Sequence, residues 1–61
     1  MTSNEIYEAM TNHWNEFIDN HSKFVDKGNR AAATRARKAI GEIKKLVTEY
    51  RKESVTESKR S

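Results

Sequence analysis

Arg30, Arg37, Lys44 and Arg51 stand seven residues apart, and Lys38, Lys45 and Lys52 repeat that spacing one residue later. At about 100° per residue, a helix gathers each set onto its own line. Between the two lines fall Thr34, Gly41 and Thr48, all small, while Glu42 and Glu49 fall outside them, beside the apolar stripe. Seven residues rise about 10.5 Å, so successive cations on one line meet separate phosphates of a nucleic-acid backbone. The small residues between them let the helix surface come close. A glycine in mid-helix costs about 1 kcal/mol relative to alanine, so Gly41 serves something other than helix stability.

The chemistry to expect is charge neutralisation rather than base reading. No aromatic residue interleaves with these cations, as a base-stacking platform requires, and no Asn or Gln accompanies them to read adenine edges. Contacts to the backbone with little sequence preference follow. The binding set is Arg30, Arg37, Lys44 and Arg51 on one rail and Lys38, Lys45 and Lys52 on the other. Arg35 is an auxiliary contact, and Lys59 and Arg60 add a weak contribution from the tail. A merely solvated polar face is the plain alternative, since any amphipathic helix needs one. Two features favour binding: the face lacks interspersed acids, and four of its seven cations share one line.

Charge is divided between the halves of the chain. Residues 1–27 carry Glu5, Glu8, Glu16, Asp19 and Asp26 against Lys23 and Lys27, whereas residues 28–61 carry ten Lys and Arg against four Glu. The overall net charge is only +3, so the asymmetry, more than the total, points to an acidic partner for the second half.

The elements that position this face are two helices. Thr2-Ser3-Asn4-Glu5 reads as a capping box. Ile6, Tyr7, Met10, Trp14, Phe17, Ile18, Phe24 and Val25 then recur at three- and four-residue steps. Lys27-Gly28-Asn29 combines a cation in the last turn, a glycine able to take positive φ and an asparagine able to cap the next helix. Ala32, Ala36, Ala39, Ile40, Ile43, Leu46, Val47 and Tyr50 form the second stripe. The expected fold is all-α: helix 1 over about 3–27, a turn at 28–29, helix 2 over about 30–54, and a flexible polar and basic tail at 55–61. Bulky residues of helix 1 against Ala32, Ala33, Ala36 and Ala39 predict close approach near the corner of an antiparallel hairpin.

At 61 residues the chain is one small domain. A chain of this size buries only about 60% of the surface its unfolded form exposes. There is no cysteine, which leaves self-association as the remedy for a thin core. A homodimer forming a four-helix bundle is the expectation, or a tetramer if dimers pair again through residual apolar edges.

The corner and second helix, Gly28-Asn29-Arg30-Ala31-Ala32 with Arg35 and Arg37 following, then Tyr50-Arg51-Lys52-Glu53-Ser54, resemble the chlamydial linker-histone-like proteins and their short bacterial relatives. The resemblance covers residues 22–56; residues 1–21 share only an amphipathic helix. It implies a nucleoid-associated, cytoplasmic protein that binds double-stranded DNA and compacts or coats it. Chlamydial members look like a helical domain followed by a long Lys/Ala/Pro-rich tail, whereas this sequence closes on Ser58-Lys59-Arg60-Ser61. Either the helical face binds DNA, or the chain is an association module that docks an acidic protein partner.

Other chemistries find little support. His13 and His21 stand eight apart without a carboxylate or cysteine to complete a metal set, and His21, in line with Tyr7 and Trp14, reads as an interface residue. No nucleophile–base set is readable and a hairpin offers no substrate cavity, so no enzyme activity, cofactor or small-molecule substrate is expected. No apolar run approaches the roughly 18 residues of a membrane span.

Overall fold

A computed structural model of the chain describes residues 1–60, with side chains through Lys59. It consists of two helices, α1 (Ser3–Lys27) and α2 (Arg30–Arg60), packed against each other, with no strand among the described residues. The antiparallel hairpin measures 48 × 14 × 13 Å along its principal axes.

Local chemistry sets the ends of the helices. The Thr2 hydroxyl accepts from the Glu5 amide at 3.2 Å, while the Thr2 amide donates to Glu5 Oε1 at 2.8 Å. This reciprocal pair satisfies two of the amides that a helix start leaves without partners. The hydrogen bond from the Thr2 backbone, with that from its hydroxyl, holds the Glu5 carboxyl below its ordinary pKa of 4.5. At the other end Gly28 adopts φ 65°, and its amide donates to the Phe24 carbonyl at 2.9 Å. An L side chain is strained at that φ, so glycine suits the corner. Asn29 then caps α2, its Oδ1 accepting from the Ala32 amide at 3.1 Å.

The seam between the helices follows a seven-residue repeat. On α1 the buried and half-buried positions include Ser3, Ile6, Met10, His13, Phe17 and Asn20. On α2 they include Ala32, Ala36, Ala39, Ile43, Leu46, Glu53 and Glu57. Alternating steps of three and four keep one row of each helix against the other, as in coiled-coil packing. Ala32, Ala36 and Ala39 are 6% exposed or less, and among the described residues Ile6 is the one large side chain fully enclosed. Near the corner, then, the helices meet through methyl groups.

Two contacts tie the seam at its ends. Near the corner, Arg35 Nε donates to Asn20 Oδ1 at 2.9 Å, and Asn20 Nδ2 donates to the Glu16 carbonyl at 2.8 Å. At the open end, the Glu57 carboxylate accepts from the Ser3 amide at 2.8 Å and from the Ser3 hydroxyl at 2.6 Å. The second contact corrects the expected end of helix 2 near Ser54. The helix runs on to Arg60, because Glu57 has a docking point on α1 that no local pattern announces.

Candidate nucleic-acid interface

The outer face of α2, turned away from α1, carries the two rails. Arg30, Arg37, Lys38, Lys44, Lys45, Arg51 and Lys52 are all exposed, and so are Thr34 and Thr48 between them. From Arg30 to Arg51 the first rail runs about 31 Å at helical rise. Little within the chain competes for these charges. Arg37 Nη2 reaches the Thr34 hydroxyl at 3.4 Å, a long and exposed contact. Lys45 Nζ lies 3.7 Å from Glu42 Oε1, with the lysine 76% exposed. Exposed i,i+3 pairs of this kind contribute little, so both cations stay available to a phosphate.

Gly41 lies in the valley between the rails. A β-carbon there would have no atom of the chain within 4 Å. Packing inside the hairpin therefore gives no reason for its glycine. At the far end of the same face, Thr48, Arg51, Lys52, Val55 and Thr56 line a shallow depression.

Two residues stand differently from their expected places. Arg35 points to α1, where Asn20 holds it, and lines a groove on another side of the hairpin with His13, Glu16, Lys38 and Glu42. Its position in the seven-residue repeat is that of Glu42 and Glu49, beside the seam and off the rails. Lys59 is expected in the flexible tail. Continuation of α2 instead makes it the fourth member of the Lys38, Lys45, Lys52 line. The seven-residue spacing was the signal for it; the polar stretch around it hid the helix. The expected contribution of the Arg60 side chain lies outside the described side chains.

A protein-family model described as "Histone H1-like protein Hc1" matches residues 4–60. The chain belongs to the histone H1-like family. The match takes in α1 almost whole, beyond the 22–56 stretch that carries the resemblance in sequence. No curated protein and no solved structure matches the chain. Membership of this DNA-packaging, non-enzymatic family implies a DNA-binding protein associated with the nucleoid. Among the described residues, no helix is long and apolar enough to cross a membrane.

Proposed function

We propose that the chain is an architectural protein that binds the backbone of duplex DNA, without sequence preference, through the outer face of α2. The observation that carries this reading is the exposed double line of cations with a small, uncharged valley between them. Arg30, Arg37, Lys44 and Arg51 form one rail; Lys38, Lys45, Lys52 and Lys59 form the other. Arg35 holds the hairpin together instead of contacting phosphate. Phosphate contacts of this kind fix position and affinity but carry no sequence information.

The working unit is a homodimer. Tyr7, Trp14, Ile18, Val25, Ile40 and Val47 are each about 40–60% exposed in the single hairpin, and burying them in a four-helix bundle supplies the core that 61 residues lack.

A gel-shift series with unrelated duplexes tests the function. If about six phosphates are engaged, affinity falls on the order of a thousandfold between 50 and 200 mM salt. Tight binding indifferent to salt would refute the phosphate mechanism, and no binding at low salt would refute the function. Reversing charge at Arg37 and Lys44 together separates this reading from an association module for an acidic protein. DNA binding that survives the double reversal would move the interface off α2.

A further inference from the structure

Beside the seam between the helices, one face of the hairpin is apolar on both sides and has nothing over it. Tyr7, Trp14, Ile18 and Val25 of α1 lie on it at 60, 49, 49 and 61% exposure, with Ile40 and Val47 of α2 at 39 and 40%. The two helical stripes are continuous, because Tyr7, Met10 and Trp14 share an apolar groove with Ile43 and Tyr50. The strip runs along a body 48 Å long.

The borders of this face differ in charge. Going round α2 at 100° per residue, the line Arg37, Lys44 and Arg51 comes next after Ile40 and Val47. Going round α1, Glu8, Asn15 and Ser22 come next after Ile18 and Val25. A two-fold dimer across the face has two closed forms. With its axis across the helices, each helix meets its own copy; with its axis along them, α1 of each chain meets α2 of the other.

We propose that two copies pair in the second way, with their corners at the same end, so that the basic faces point in opposite directions and one dimer bridges two duplexes. This rests on the DNA-binding dimer described above and specifies its geometry. Charge selects the form. Like-with-like pairing would set two copies of the Arg37, Lys44 and Arg51 line edge to edge with no acid in either. Crossed pairing sets that line beside a neutral and acidic border. Contacts of Ser3 with Glu57 and of Asn20 with Arg35 fix which residues lie level along the hairpin. Counted from them, Glu8 lies level with Arg51 and Asn15 with Lys44.

Side-chain size selects the same form. On this face α1 offers Trp14 at mid-helix, whereas α2 exposes the smaller Ile40 and Val47 there, with Tyr50 farther from the corner. Crossed pairing packs Trp14 against the smaller Ile40 and Val47; like-with-like pairing brings the two Trp14 side chains together at mid-helix. In the crossed bundle the two α2 helices occupy diagonal corners, and their outer faces look away from each other. In the other bundle they are neighbours and would make one wide face for a single duplex.

Single-cysteine variants test the pairing without DNA, because the described residues contain no cysteine. Asn15→Cys and Lys44→Cys chains are oxidised separately and as an equimolar mixture, with sedimentation of the reduced samples alongside. A disulfide-linked dimer that forms in the mixture and in neither single sample is the expected result. Lys44→Cys linking efficiently to itself would overturn the crossed form in favour of the other. A dimer by sedimentation that links in no sample would overturn it too, and a folded monomer at micromolar concentration would overturn the dimer. Bridging is read separately with the unaltered chain, as capture of a free labelled duplex by a bead-bound duplex of different sequence. Binding to the bead-bound duplex without capture of the second would overturn bridging. Absence of any DNA binding would refute the function while leaving the cross-linking result intact.

Discussion

Ser3 and Glu57 close the open end of the hairpin. The carboxylate of Glu57, near the end of α2, accepts both the amide and the hydroxyl of Ser3, the first residue of α1. It thereby satisfies an amide that the helix start leaves without a partner and places negative charge at the positive end of the α1 dipole. Glu57→Ala should cost about 1.5–3 kcal/mol, the range for hydrogen bonds to a charged group. Thermal melts followed by circular dichroism should show a lower midpoint. Amide exchange should quicken selectively across residues 53–59. Unchanged exchange there would mean that the last turns of α2 hold without this contact.

Arg35 and Arg37 are separated by one residue and should fail in different ways. Removing Arg35 leaves the Oδ1 of Asn20, a residue only 9% exposed, without its donor. Arg35→Ala should therefore destabilise the hairpin by about 1–3 kcal/mol and leave the salt slope of DNA binding nearly intact. Arg37→Ala should keep the melting midpoint within about 0.5 kcal/mol, as for exposed sites, and reduce that slope by nearly one unit. Paired melts and salt titrations of the two variants check both halves. The same loss of slope in both would put Arg35 among the phosphate contacts after all.

Gly41→Ala separates stability from function. With open space around the added methyl group, the variant should gain up to about 1 kcal/mol of helix stability. It should nevertheless bind duplex more weakly, since in the proposed binding mode the added methyl group would stand between the backbone and the valley floor. Denaturant unfolding and a shift assay on one preparation measure both. A stabler chain with undiminished affinity would show that DNA does not descend between the rails.

Acid should loosen the start of α1. The folded-state pKa of Glu5 is lowered below 4.5, first by its hydrogen bond from the Thr2 backbone. A depressed carboxylate contributes stability that is present above its unfolded value and is lost as pH falls through the folded one. The loss attributable to Glu5 should thus begin below about pH 4.5, and Glu5→Gln should flatten that part of the profile. Helicity measured from pH 6 to pH 2 in both chains tests it; parallel curves would remove Glu5 from the acid response.

What could be read locally was read from side chains that act on their own neighbours. Thr2 and Glu5 cap a helix through atoms three residues apart, Gly28 turns the chain through its own φ, and Asn29 caps through the Ala32 amide. The all-α hairpin followed from these, and the two rails followed from seven-residue spacing alone. The histone H1-like family match, over residues 4–60, takes in both helices. Where α2 ends could not be read this way. The stretch Val55-Thr56-Glu57-Ser58 has no apolar stripe to mark it as helical, and its anchor lies 54 residues away at Ser3.

Arg35 shows the same division within the site. Composition places it among the cations, and only packing against α1 brings Asn20 within 2.9 Å of its Nε. The helices, the corner and the rails are legible in the residue order, because backbone capping and helical period are properties of residues within about seven positions of one another. Tertiary structure decided how far α2 runs, which arginine serves the fold, and which apolar face is left uncovered. Those outcomes depend on which groups meet across the seam, and that meeting is set by the level and rotation of one helix against the other.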